Sequence, residues 1–137
     1  MEDFKDLVNK KRLKNNVILL GRKSHEEVFK IISEHGVGIA LYTDDAPWSY
    51  YSDSMKARDY LALGLPVIIS GNLGTTQEIK DGNAGIVIKR RKDDIVRAVE
   101  SLVTDRVLYN NLRENALRLA KENDIDNILN KTLKKYL

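Results

Sequence analysis

The sequence predicts an α/β fold, a Rossmann-like three-layer sandwich in which helices cover a parallel sheet of about four strands. Four short apolar runs indicate the strands, at residues 17–20, 37–42, 66–69 and 85–88. None of them alternates polar with apolar residues, so each strand is expected to be buried on both faces. The helical segments that separate the runs favour parallel pairing.

The third run follows a helix through a very short connection. A helical pattern over residues 56–64 ends in the letters Leu-Gly-Leu-Pro, and the apolar run begins at once. A left-handed glycine ends a helix, and a proline blocks its continuation because the ring clashes with the preceding turn and has no N–H. Gly64 and Pro66 therefore predict an abrupt change from helix to central strand. Ser70 and Gly71 are expected at its carboxyl end, where open parallel sheets bind ligands.

Capping signals and charge predict further helices. The first is expected over residues 3–14. Ser24 and Glu27 have the spacing of a capping box and open the second. Asp93 and Asp94 open a later helix, because acidic residues stabilise the positive end of a helix dipole.

The tail of the chain is interpreted as two more helices over residues 106–137. Its apolar residues recur at helical spacing and are expected to face inward. They are Leu108, Leu112, Leu119, Ile125, Ile128, Leu129 and Leu133.

Composition excludes several classes of function. The 137-residue chain has no cysteine, which excludes disulfides, zinc–thiolate sites and thiol catalysis. With two histidines, neither a metal nor another cofactor is expected. The net charge of +3 is mild, so the basic clusters at residues 10–14 and 89–92 are interpreted as solvated surface rather than nucleic-acid contacts. No apolar run approaches the ~18 residues of a membrane span, and the charged N-terminus is unlike a signal peptide, so a cytoplasmic location is expected.

Several motifs follow one another in order between residues 15 and 105. Residues 56–64 read Lys-Ala-Arg-Asp-Tyr-Leu-Ala-Leu-Gly and continue into Leu-Pro-Val. Gly-Thr-Thr-Gln-Glu follows at residues 74–78, then Asp-Gly at residues 81–82, and Gly85 opens the last apolar run. This series resembles the carboxyl-terminal, donor-binding domain of GT-B glycosyltransferases of the group 1 type. In that family the corresponding helix commonly reads Lys-x-x-Glu-Tyr-x-x-x-Gly-x-Pro-Val.

The resemblance implies a set of donor-binding residues and assigns no catalytic one. Asp59 stands at the position of the family's glutamate, where a carboxylate accepts hydrogen bonds from the ribose hydroxyls. Gly74, Thr75 and Thr76 open a helix whose N–H groups suit a diphosphate. Other residues are placed beside the base and the transferred sugar, namely Gly21, Arg22, Tyr51, Ser54, Met55 and Lys56.

The loop over residues 43–54 would lie over the transferred sugar if the resemblance holds. Its rings, at Trp48, Tyr50 and Tyr51, and its hydroxyls are groups that sugar sites use. Tyr51 stands where many relatives have the first glutamate of a Glu-x7-Glu pair.

The resemblance also implies that part of the enzyme lies elsewhere. The full enzymes of that family have an amino-terminal acceptor domain, and two earlier strands supply a basic pair for the diphosphate. Residues 1–137 are therefore expected to be one nucleotide-sugar-binding domain, a truncated piece or a part of a split enzyme. Transfer would then require the acceptor domain or a partner chain, and the chain alone would be inactive. Peripheral membrane association of the full enzyme is compatible with this interpretation.

Two alternatives from other functional classes stay open. One is a non-catalytic α/β interaction domain. The other is a phospho-receiver signalling domain, which Ser70 and Lys89 suggest by their positions after predicted strands. A receiver also needs an acidic pair after its first strand, where this chain has Gly-Arg-Lys at residues 21–23. A phosphorylation assay with a small phosphodonor would test the receiver domain, and nucleotide-sugar binding would separate the donor-binding interpretation from the interaction domain.

Overall fold

The computed structural model describes residues 2–43 and 51–134, and within them it has seven helices and three strands. In chain order these are α1 (Glu2–Lys10), α2 (His25–Ser33), β1 (Gly38–Ala40), α3 (Met55–Ala62), β2 (Val67–Ile69), α4 (Gly74–Asp81), β3 (Gly85–Val87), α5 (Lys92–Thr104), α6 (Arg106–Glu122) and α7 (Ile125–Leu133). The chain divides into two compact units, residues 1–31 and residues 32–137.

The second unit is built on a parallel sheet with the strand order β1-β2-β3. Ile68 of β2 pairs with Ile39 on one side and with Ile86 on the other. The prediction of a central parallel strand at residues 67–69 is thus confirmed. Ser70 and Gly71 follow its carboxyl end, as predicted.

Helices cover both faces of this sheet. On one face, Val67 and Ile69 pack with side chains of α3, α4 and α6. On the other, Ile68 packs with Ala98 and Leu102 of α5 and with side chains of α6.

Burial on both faces explains the uninterrupted apolar run of β2. The same expectation is wrong for the edge strands β1 and β3, in which Ile39 and Val87 are exposed. The α/β class is confirmed, and a complete Rossmann-like sandwich stays a prediction.

The connection from α3 to β2 has the predicted chemistry. Gly64 has a φ of +68°, in the left-handed region that glycine adopts without strain. Its N–H donates to the Leu61 carbonyl oxygen, and the Leu65 N–H donates to that of Tyr60, both at 2.9 Å. These two bonds form a Schellman motif, which satisfies the last carbonyl groups of α3 and turns the chain into β2.

The prediction of a strand at residues 17–20 is wrong. These residues form no regular element, and Ile18 is 81% exposed. A strand is stable only with a neighbour to pair with, and the described residues 2–31 hold helical elements but no other strand. The sheet therefore has three strands rather than about four.

Most of the helices begin as predicted. The capping box before α2 is formed, since the Ser24 N–H donates to Glu27 Oε2 at 2.9 Å and the Glu27 N–H donates to Ser24 Oγ at 3.2 Å. Asp93 and Asp94 lie in the first turn of α5. The first helix ends at Lys10, earlier than predicted.

The tail forms the two predicted helices, but α7 is not packed as predicted. In α6, Leu112 and Leu119 are buried. The whole of α7 lacks a buried residue. Apolar periodicity shows that a helix is amphipathic but does not say what covers its apolar face. The α7 residues predicted to face inward are exposed, namely Ile125, Ile128, Leu129 and Leu133.

Candidate functional site

Hydrogen bonds join β1 and β2 just beyond their carboxyl ends. The Ser70 hydroxyl accepts from the Tyr42 N–H at 3.0 Å and donates to the Tyr42 carbonyl oxygen at 2.9 Å. Ser70 is buried. Its hydroxyl therefore fixes the edge of the sheet at which parallel α/β proteins bind ligands.

Ser54 connects this edge to α3 and α4. It is the N-cap of α3, where its hydroxyl accepts from the Ala57 N–H at 3.1 Å and shares a 2.7 Å hydrogen bond with the Tyr42 hydroxyl. Its own N–H donates to Thr75 Oγ1 at 3.0 Å. Ser54 is 1% exposed, so its observed role is in the framework of the site. Contact with a donor stays a prediction.

Asp53 accepts several hydrogen bonds at the same place. Its carboxylate accepts from the Thr75 hydroxyl, from the Ser54 N–H at 2.9 Å and from Arg58 Nε at 3.1 Å. Burial by itself raises the pKa of Asp53, but the Thr75 and Arg58 donors outweigh it, so the pKa lies below its ordinary value. Asp53 is therefore ionised at neutral pH.

This lowered pKa predicts a pH-dependent contribution to stability. An unfolded aspartate has a pKa of about 3.9, and the folded pKa of Asp53 lies lower, so the unfolded chain binds the proton more readily. The contribution is then present above about pH 4 and is lost as the pH falls through the folded pKa. Urea denaturation of the wild type and Asp53→Asn should show a stability gap at pH 7 that shrinks below pH ~4. Asp6→Asn, which changes an exposed aspartate within α1, is the control, and a pH-independent gap for Asp53→Asn would refute the assignment.

Arg58 bridges α3 and α4. Its Nη1 and Nη2 donate to the two carboxylate oxygens of Glu78 at 2.7 and 3.1 Å, while Nε donates to Asp53. Burial opposes the charge of Arg58, but the two carboxylates outweigh it and raise its pKa. Asn123, which follows α6, donates to Glu78 at 3.1 Å. We call Asp53, Arg58 and Glu78 the Arg58 bridge.

The N-terminus of α4 offers main-chain donors to a ligand. The prediction that Gly74 opens a helix is confirmed, and the N-cap residue, Leu73, makes no side-chain capping bond. Thr75 is held by Ser54 and Asp53. Thr76 is 6% exposed, and its hydroxyl has no hydrogen-bond partner in the described part of the chain. The Thr76 N–H donates to the Leu73 carbonyl oxygen at 3.0 Å, so this end offers an anion the N–H groups of Gly74 and Thr75 and the positive dipole of α4.

Asp59 follows Arg58 on α3 but lies outside the bridge. It is half-buried, and its charge helps to raise the pKa of Tyr60, after burial and Tyr42. Lys56, one turn earlier, places Nζ 5.2 Å from the centre of the Tyr42 ring. Asp59 and Lys56 thus lie on α3, whose N-cap residue Ser54 is bonded at the carboxyl edge of the sheet. The contact of Asp59 with a ribose stays a prediction, and so does the contact of Lys56 with a donor.

The remaining predicted site residues are exposed or lie outside the described part of the chain. Tyr51 and Met55 are exposed beside the start of α3. Gly21, with a φ of +67°, and Arg22 belong to the first compact unit and are exposed. Their contacts with the base and sugar stay predictions. The predicted sugar-stacking rings Trp48 and Tyr50 lie outside the described residues.

Sequence reasoning missed the residues that hold the site together. Asp53 and Arg58 are five positions apart and flank the start of α3, and Glu78 is twenty residues further on. Asp-Ser before a helix is a recognisable N-cap signal, and it could have indicated Asp53 beside the predicted Ser54. No local spacing indicates that Arg58 and Glu78 meet, because that contact depends on how α3 and α4 pack.

A comparison with family models matches residues 4–136 of this chain to the family described as "Glucosyltransferase 3-like, C-terminal domain". The chain belongs to that family. Membership in the glucosyltransferase 3-like family supports a glycosyltransferase carboxyl-terminal domain, although it does not extend to the group 1 type that the motifs resemble. No curated protein and no solved structure matches the chain.

Two further observations concern this glucosyltransferase 3-like domain. Over residues 2–43 and 51–134, no cluster of three or more metal-ligating side chains occurs. Within the same ranges, no helix is both long and apolar enough to cross a membrane. The cytoplasmic location expected from the sequence stays a prediction.

Proposed function

We propose that this chain is the donor-binding domain of a glycosyltransferase and that it binds a nucleotide sugar beyond the carboxyl ends of β1 and β2. The family match supports the transferase assignment. The observation that carries the donor site is the uncapped N-terminus of α4, held beside α3 at this edge by Ser54 and Asp53. An anion-binding helix end next to a carboxylate-bearing helix suits a ligand with both a diphosphate and a ribose.

In this proposal each side of the site binds one part of the donor. The main-chain N–H groups of Gly74 and Thr75 bind the diphosphate, since the Thr76 N–H is used by the Leu73 carbonyl oxygen, and Asp59 accepts hydrogen bonds from the ribose hydroxyls. During transfer, the bond between the anomeric carbon and the diphosphate oxygen breaks while an acceptor oxygen bonds to that carbon. The N-terminus of α4 stabilises the negative charge that the departing nucleoside diphosphate gains.

The acceptor and the remaining phosphate contacts would come from outside this chain. Oriented reactants and stabilisation of the diphosphate supply much of the rate of such reactions. We therefore expect binding of nucleotides by this chain without measurable transfer, until an acceptor domain or partner chain is added. Transfer by the isolated chain at an enzymatic rate would contradict this, because it would mean that the chain supplies the catalytic groups itself.

The Ser70 hydroxyl bears on the phospho-receiver alternative. Ser70 is buried, and its hydroxyl is used in two hydrogen bonds to the Tyr42 main chain. These bonds favour a role in joining the strands. The nucleotide-binding measurement below distinguishes a donor-binding domain from a non-catalytic interaction domain.

We expect Asp59→Ala to weaken nucleoside diphosphate binding by roughly ten- to a hundredfold. A hydrogen bond to a charged group contributes about 1.5 to 3 kcal/mol, which corresponds to that range. Calorimetry with the diphosphates of uridine, guanosine, adenosine, cytidine and thymidine would first identify a ligand of the wild type. Asp59→Glu, which supplies the glutamate of the GT-B glycosyltransferases that the motifs resemble, should bind as well as the wild type or better.

Asp93→Ala is the matched control, since it removes an exposed aspartate from the first turn of α5. It should leave nucleotide affinity unchanged. Equal affinity of Asp59→Ala and the wild type would remove Asp59 from the site. Absence of binding of every diphosphate and nucleotide sugar at millimolar concentration, by this chain and by a longer one, would favour the interaction domain.

A further inference from the structure

We infer that Arg58 is a positioning residue that sets the spacing between the two halves of the donor site. This inference rests on the proposed function. Arg58 precedes Asp59 on α3, and its guanidinium spans to α4 without occupying the proposed ribose or diphosphate contacts. It therefore acts on the donor through the helices that it joins.

The geometry explains why a single arginine can fix this spacing. The guanidinium fork takes both oxygens of Glu78, so it restrains the rotation as well as the separation of the two helices. Nε binds Asp53, whose carboxylate also accepts from Thr75. Arg58 thus holds α4 at two places one turn apart, directly through Glu78 and through Asp53 at Thr75. A lysine offers a point charge and cannot make this planar, forked contact.

The bridge should affect long ligands more than short ones. Inorganic pyrophosphate needs only the N-terminus of α4, whereas a nucleoside diphosphate must contact α4 and α3 together. Loss of the spacing should therefore weaken the nucleotide selectively. If the variants acted only by removing positive charge, pyrophosphate binding would weaken more than nucleotide binding, because pyrophosphate carries the higher charge density.

Calorimetry of Arg58→Gln, Arg58→Lys and the wild type with uridine, guanosine and adenosine diphosphates and with inorganic pyrophosphate tests the inference. Both variants should bind nucleoside diphosphates about tenfold more weakly, since a displaced positioning group can reduce function up to a hundredfold. Pyrophosphate affinity should change little. Glu78→Gln should weaken nucleotide binding less than Arg58→Gln does, because Arg58 keeps its contact with Asp53. Arg58→Gln with Glu78→Gln should be no worse than Arg58→Gln alone, because the double variant loses no further contact of Arg58.

Arg97→Gln is the control, because it breaks an exposed arginine–aspartate pair within α5. Circular dichroism and thermal melting establish that each variant is folded at the temperature of the assay. Wild-type nucleotide affinity in folded Arg58→Gln and Arg58→Lys would overturn the positioning role and leave the proposed function in place. Equal weakening of pyrophosphate and nucleotide would also overturn it. Failure of the wild type to bind any of the diphosphates would overturn the proposed function and this inference together.

Discussion

Replacing Gly85 by alanine is expected to lower the free energy of unfolding by about 3 kcal/mol, at the upper end of what overpacking commonly costs. A Cβ atom at this position would lie 2.1 Å from the Val67 carbonyl oxygen and 3.0 Å from Ile79 Cγ2. The first contact is with main chain, so no side-chain rotation relieves it. Val67 belongs to the central strand, which is paired on both sides and is fully buried. The clash must therefore separate β3 from β2.

Chemical denaturation followed by circular dichroism would measure this loss. Gly36→Ala is the matched control, because a Cβ there meets only the Tyr109 hydroxyl, at 3.7 Å, which is an ordinary contact. Its stability should stay within about 0.5 kcal/mol of the wild type. A Gly85→Ala variant as stable as Gly36→Ala would mean that β2 and β3 do not approach each other as closely as described.

Local chemistry made the central part of the fold predictable. Gly64 and Pro66 specify the end of α3 and the start of β2 by backbone geometry alone, without reference to distant residues. The run at residues 66–69 is apolar on both faces, so it could only be a central strand or a buried helix, and the proline decided between them. The capping box at Ser24 and Glu27 was equally local.

Predictions that depended on distant packing were less successful. Residues 17–20 and α7 have the composition of buried elements, yet Ile18 and the apolar residues of α7 are exposed. An apolar run indicates that a segment favours burial. Whether it is buried depends on other segments that pack against it, and the run itself does not identify them. The Arg58 bridge was missed for the same reason, since Arg58 of α3 and Glu78 of α4 meet only in the folded chain.

The structure shows the hydrogen-bonded framework of the predicted site, whereas the contacts with a donor are proposed. Thr75 and Ser54 meet at the carboxyl edge of the sheet, as the resemblance implied, but they do so by bonding each other and Asp53. Much of the polar chemistry seen there is thus internal support. A framework that is satisfied internally can hold main-chain N–H groups of α4 in a fixed place, which is what binding an anion without reorganisation requires.

Leu61→Ala is the second change with a large expected effect, a loss of about 2 to 5 kcal/mol in the free energy of unfolding. Leu61 is 1% exposed and packs in the same core as Val67 and Ile69, so truncation leaves a cavity that the sheet and α3 fill only in part.

The matched control is Leu129→Ala, which removes the same atoms from an exposed helix face. It should change stability by less than about 0.5 kcal/mol. Because Asp59 and Arg58 lie on the helix that Leu61 anchors, nucleotide affinity of Leu61→Ala should be measured well below its melting temperature. Equal stabilities of Leu61→Ala and Leu129→Ala would show that α3 is not anchored on the sheet by this side chain. The placement of the carboxylate and the guanidinium at the site would then need another cause.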